Sequence, residues 1–376
     1  MVGPLLRQRR MALGLTAAQV AAQVDVRREY LSAVERGKRQ VGVKTLIALT
    51  QLFTFPTKDW LEAYLTEETR MSPLLRMAEH LLRISDVEAA EVVLGKLRRL
   101  TRNNHRYQSR FCHLMGVLSY QQGRYGRALH WFSAYLKTSG TAPSRAHAEG
   151  MYNVALALRK TGQLATSLDK FDITTRMFGT LNAKIEAGYS RLSKANTLIA
   201  IGAFQEGLLV YRRAAADLRG DPWLFDCKLG EAICTCVTRS PTKGISIMQE
   251  IEKYATDRDR RIKFHHNLGV MYRLVGRLDE SLQQITAALQ QISPPPRPDS
   301  FAELCLCQAL RGNYTAAIEA LHRFHEFTGP KDDQDVVAML IMSRYLGVHA
   351  EPWLRVRHIR ENYECRISTA LDLLSR

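Results

Sequence analysis

Five times along this chain a glycine is followed two residues later by a bulky side chain. A small residue comes three positions after that, and a large apolar one four positions further. The phrases are Gly123-Arg124-Tyr125 with Ala128 and Phe132, Gly162-Gln163-Leu164 with Ser167 and Phe171, and Gly202-Ala203-Phe204 with Gly207 and Tyr211. Gly276-Arg277-Leu278 with Ser281 and Ile285, and Gly312-Asn313-Tyr314 with Ala317 and Leu321, complete the set. Each lies between two stretches of helical periodicity. The glycine therefore ends one helix in a left-handed cap, the bulky residue plugs the turn, and the small residue lets the returning helix touch the first. Successive glycines are 39, 40, 74 and 36 residues apart, and the 74 leaves room for one more pair, around Gly230 to Tyr254, whose turn has become Ser240-Pro241. A further pair is expected over Leu74–Leu100. One helix pair cannot bury its own apolar face, so the copies must stack. The expected fold class is all-α, a right-handed α-solenoid of helix pairs closed by helices at Val336–Leu346 and Arg355–Leu374. Pro294-Pro295-Pro296-Arg297-Pro298 reads as a stiff turn inside the array, because the phrase resumes directly after it.

The segment before the array has a different grammar. Thr16 is placed to cap a helix beginning at Ala17, and Ala21 is small where a second helix must cross closely. Asp25 falls at a tight turn that favours Gly, Asn or Asp. The next helix, Arg27 to Glu35, turns Leu31 and Val34 inward and presents Arg27, Arg28, Glu29, Ser32 and Ala33 outward. This is a helix-turn-helix with an Arg-led polar face. A Phe53–Pro56 turn and a short helix near Lys58–Leu65 should close a domain of residues 1–66, followed by a linker at 67–73 and the repeat domain at 74–376.

From Leu6 to Leu52, including Val34-Glu35-Arg36-Gly37-Lys38 and the later Leu46, Ile47, Leu49 and Leu52, the sequence resembles the Cro/repressor-type (XRE) helix-turn-helix, a five-helix domain. It departs at Ala17, where that family usually carries a phosphate-contacting Gln; the contact is either missing or supplied by Arg9, Lys38 or Arg39. The resemblance implies that Arg10 and Glu35 form a structural ion pair. Arg28 is the expected bidentate reader of guanine, Glu29 an acceptor from cytosine, and Ser32 and Ala33 make short-range or methyl contacts. Arg27, Lys38, Arg39 and Lys44 are assigned to phosphates.

Composition agrees with a polyanionic partner without proving one. The formal charge is +16, and residues 1–44 carry nine Lys/Arg against three acids. Outside that segment, spread charge is a solvated face. Seven irregularly spaced cysteines are no disulfide framework. Cys234/Cys236 and Cys305/Cys307 lie two apart on helices, where side chains diverge, so neither pair chelates an ion alone and buried thiols are expected. No cofactor is implied. There is no Gly-rich phosphate loop, His-Glu-x-x-His or nucleophile elbow, so no enzyme is expected. No apolar run of about eighteen residues appears and Met1-Val2-Gly3-Pro4 leads straight into the first domain, so a cytoplasmic protein without membrane contact is expected.

The array, with Leu268-Gly269-x-x-Tyr272 and Pro294, resembles tetratricopeptide repeats. In such arrays the first helix of each pair lines the concave surface, which suits an extended peptide. Repeat position turns Arg110 and His113, Asn153 and Arg159, Asn196, and Lys263, His266, Asn267 and Arg273 toward that surface. An Asn side chain brackets a peptide group of any sequence, while Lys or Arg holds a carboxylate. The two parts together resemble the RRNPP regulators, intracellular receptors for short signalling peptides. That resemblance implies a homodimer docked through its C-terminal repeats, a palindromic operator in double-stranded DNA, and a peptide that alters DNA binding. The alternative is a DNA-binding regulator whose repeats hold a protein partner.

Overall fold

The computed structural model describes residues 2–53, 64–65, 70–101, 105–138, 144–290 and 298–326. Among them are eighteen α-helices and no strand. The two capping helices expected after residue 326, most of the helix expected at Lys58–Leu65, and the Pro294–Arg297 turn lie outside the described residues. The chain divides into two compact units, Met1–Ala183 and Lys184–Arg376.

The first unit begins with α1 (Val2–Ala12), α2 (Ala17–Gln23), α3 (Arg28–Glu35) and α4 (Val43–Leu52). Thr16 caps α2 as expected, and the structure adds the reciprocal half: Thr16 Oγ1 accepts from the Gln19 amide while the Gln19 side chain accepts from the Thr16 amide. Asp25 makes the turn to α3 with φ 53°. Gly3 of α1 lies so close to the Val34 carbonyl of α3 that a Cβ there would overlap it, so the crossing is built on backbone contact. Val20, Leu31, Leu46 and Leu49 are fully buried between these helices.

Three helix pairs follow: α5 (Met71–Arg83) with α6 (Val87–Thr101), α7 (His105–Gln121) with α8 (Tyr125–Thr138), and α9 (Arg145–Lys160) with α10 (Leu164–Thr180). The pair expected over Leu74–Leu100 is thus present, and its turn is made by Ser85 at φ 60° in place of glycine. One apolar cluster runs without interruption from Val2, Leu31 and Leu49 through Phe53 and Tyr64 to Leu74, Leu94 and Leu118. The helix-turn-helix shares its core with the first helix pairs.

The second unit stacks α11 (Lys184–Ala200) with α12 (Phe204–Asp217), α13 (Leu224–Thr238) with α14 (Pro241–Ile251), α15 (Arg258–Leu274) with α16 (Leu278–Leu289), and α17 (Pro298–Leu310) with α18 (Tyr314–Glu326). Here α13 and α14 are the degenerate pair, with Pro241 at the first turn of α14, where its missing N–H has no helical partner to lose. All five turn glycines have positive φ, between 71° and 81°. The small residue of each phrase is buried where the returning helix meets the first; Ser167 even donates its hydroxyl to the Ala155 carbonyl at 2.9 Å. Helix-interior glycines serve the same packing. Gly230 of α13 faces the buried Tyr211 ring of α12, which leaves no room for a Cβ.

Candidate functional site

The reading helix α3 is short, eight residues, and its outer face carries little apolar surface. Arg27 is its N-cap residue, Arg28 and Glu29 stand exposed in its first turn, and Ser32 and Ala33 are half-buried one turn on. What fixes the helix is behind it. Arg10 of α1 donates from Nε and Nη2 to the two Glu35 oxygens at 2.6 and 2.9 Å, and from Nη1 to the Leu15 carbonyl at 2.7 Å. The hydrogen bonds to Glu35 hold the Arg10 guanidinium above its ordinary pKa. Both side chains are largely buried, so this planar fork is a structural clamp between α1 and α3.

The loop after α3 carries Lys38 and Arg39, and Lys44 opens α4; all three are exposed. A contact between residues twelve apart organises this loop. The Tyr30 hydroxyl accepts from the Gly42 amide at 2.9 Å, and the Arg39 guanidinium stacks over the Tyr30 ring at 5.0 Å. Arg9, one of three stand-ins for the Gln replaced by Ala17, donates instead to the Phe53 carbonyl at 3.4 Å. Lys38, Arg39 and Lys44 thus form the cationic rim beside the reading helix.

In the first unit, Arg110 is exposed and forms a forked ion pair with Glu79 of α5. His113 and Asn153 meet, with Asn153 Nδ2 3.2 Å from His113 Nε2, and the imidazole lies 5.2 Å from the Tyr135 ring. Burial lowers the His113 pKa. Arg159 is half-buried near the end of α9.

In the second unit, Asn196 accepts from the buried Tyr211 hydroxyl at 2.6 Å. Lys263 reaches across to Asp226 of α13 at 2.8 Å, and Arg273 pairs with Glu303 of α17. Asn267 donates back to the Lys263 carbonyl at 2.8 Å, one turn earlier on its own helix. His266 is buried, with Nδ1 3.0 Å from the Ser300 hydroxyl, so its ring is part of the packing between α15 and α17. Arg110, His113, Asn153, Lys263, His266 and Arg273 thus join one first helix to the next, Asn196 joins its helix to the second of its pair, and Asn267 bonds its own backbone. Nothing local in the sequence marks the acids completing three of those bridges, Glu79, Asp226 and Glu303, which lie 30 or more residues from their partners.

Burial governs the thiols. Six described cysteines are free and buried, and Cys227, Cys234 and Cys305 are pushed up to about 12 by desolvation. Among the described residues no helix is long and apolar enough to cross a membrane.

The helix-turn-helix family model matches residues 6–60. No curated protein matches the chain. Solved structures share its architecture at low identity. A tetratricopeptide repeat protein from Parabacteroides merdae superposes with TM-score 0.53 at 12% identity, covering 72% of this chain and 97% of that one. The apo form of RapI gives 0.52 at 12% identity, over 78% and 86%. NprR in complex with its cognate peptide NprX gives 0.52 at 14% identity, over 95% and 94%. The chain is an XRE-type helix-turn-helix domain followed by an all-α array of tetratricopeptide-like helix pairs, a fold that it shares over most of its length with these three structures.

Proposed function

We propose that this protein is a cytoplasmic, homodimeric transcriptional regulator whose DNA binding is set by a short peptide held against its repeats. Residues 1–66 are its DNA-binding part, 67–73 the joint and 74–376 the receptor, with dimerisation through the C-terminal repeats. The observation that carries the reading is the likeness to NprR, a peptide-bound structure, over 95% of this chain, together with the clamped reading helix. Two reading helices in a dimer would enter major grooves about 34 Å apart on a palindromic operator. Arg28 would fork onto guanine O6 and N7, Glu29 would accept from a cytosine amine, and Ser32 and Ala33 would sit against neighbouring base edges. Arg27, Lys38, Arg39 and Lys44 would hold phosphates. On the receptor side, Arg110, Arg159 and the His113–Asn153 pair would be the peptide contacts of the first unit, and Asn196, Lys263, Asn267 and Arg273 those of the second.

Peptide can alter operator binding only through its difference in affinity for the competent and incompetent dimers, typically ~1–3 kcal/mol. The test begins with operator selection from random duplexes by the full-length protein. Arg28→Ala should then cost about 1–3 kcal/mol at one base pair and relax its specificity. Lys38→Ala should weaken all duplexes alike and reduce the salt slope by about one. Equal losses on every sequence for both variants would refute the assignment of readers. Peptides encoded next to the gene should shift operator affinity; a stoichiometric protein partner combined with no peptide effect would refute the receptor half.

A further inference from the structure

Three successive first helices of the second unit end in the same way. Leu274 of α15 and Leu310 of α17 each stand two residues before a turn glycine, and Val237 occupies the matching place on α13. They are 52% (Val237), 48% (Leu274) and 44% (Leu310) exposed. Four residues earlier, on the same helix face, come half-buried Ile233, Val270 and Leu306. The three helices are neighbours, α13 touching α15 and α15 touching α17. The result is an apolar rail crossing three helices. On α11 the equivalent places hold Asn196 and Ala200, so the rail stops there.

Two cations on α15, the middle helix of the rail, are already matched. Lys263 is held by Asp226 and Arg273 by Glu303, both bridges running between the helices that carry the rail. A ligand carboxylate would have to break such a bridge and leave a largely buried acid unpaired. The pitch fits one kind of chain. Packed helices lie roughly 8–10 Å apart, and a polyproline-II strand advances about 9 Å per three-residue turn. Every third side chain of such a strand meets the next helix.

We infer that the rail binds an extended peptide segment with uncharged apolar side chains at every third position, and does not select acidic ones. This rests on the peptide-receptor reading above and names its ligand chemistry. The probes are end-blocked, fluorescein-labelled nonapeptides with Leu at positions 2, 5 and 8, a version with Asp at those positions, and one with Leu at 2, 4 and 6. Anisotropy with the full-length protein should show saturable binding of the first, weakened roughly ten- to hundredfold by Leu274→Asp, the cost of one lost apolar contact. Leu209→Asp, on the exposed face of α12, should leave it unchanged. Equal or tighter binding of the Asp peptide, or of the 2, 4, 6 peptide, overturns the inference. So does the absence of saturable Leu-peptide binding, or a Leu274→Asp effect on sedimentation with peptide affinity intact, which would make the rail a self-association face. Binding of the Asp peptide with a shift in operator affinity would sink the rail and leave the receptor reading standing. A stoichiometric protein partner with no binding of any peptide would remove both.

Discussion

Replacing Arg10 by Met removes three hydrogen bonds at once and strands Glu35. The carboxylate is 6% exposed and its two oxygens lose donors at 2.6 and 2.9 Å. Two unit charges with centres about 4 Å apart interact by roughly 4 kcal/mol at an effective dielectric constant of 20. Truncating one partner of a buried pair costs about 3–5 kcal/mol for the same reason, an uncompensated charge. The two figures agree. Hydrogen exchange on the full-length protein is the suitable assay, because a shared core makes a single unfolding transition ambiguous. Amides of α3 that exchange through opening of the helix-turn-helix should speed up by roughly two to nearly four powers of ten. Removing the charge as well, in Arg10→Met with Glu35→Leu, should restore most of the protection. If Arg10→Met kept α3 protection within tenfold of the parent while operator binding collapsed, Arg10 would be touching DNA and the clamp argument would be wrong.

Other consequences are more local. Gly230→Ala pushes a methyl group into the fully buried Tyr211 ring and should cost about 1–3 kcal/mol, read as a lower urea midpoint for the second unit; no change would mean the ring can move aside. Burial lowers the His113 pKa below its usual 6.5, so as pH falls through 6.5 the unfolded chain takes up a proton that the folded one refuses. Glu149, Glu79 and Arg110 face the same ring without reversing that direction. The stabilisation is therefore complete at neutral pH and is lost on acidification toward the folded pKa. A urea midpoint measured against pH should show this slope, and His113→Gln should flatten it. Thiols held at about 12 have almost no thiolate near pH 8, so iodoacetamide should leave Cys227, Cys234 and Cys305 unlabelled in the native protein, checked by peptide mass mapping.

Everything the chain decides within a turn or two could be read directly from it. The Thr16 cap, the Asp25 turn, the five left-handed glycines and the Pro241 helix start all depend on φ preferences and on hydrogen bonds spanning a few residues. So did the Arg10–Glu35 pairing, but only through resemblance, since those residues are 25 apart. Other long-range matters needed the fold. No local rule places Asp226 against Lys263, 37 residues on, or Glu303 against Arg273, 30 residues back. Those bridges change what Lys263 and Arg273 can do, because a cation already paired with a carboxylate does not offer a ligand what the same residue offers in isolation. The turn at Ser85 has no such local mark, because serine adopts positive φ less readily than Gly, Asn or Asp and is held there by the helices around it. Helical periodicity and the five turn glycines are local properties, legible from spacing along the chain. The tertiary structure alone decided which side chains the helix pairs turn toward one another, because charge pairing and burial depend on distances through space that the spacing along the chain does not encode.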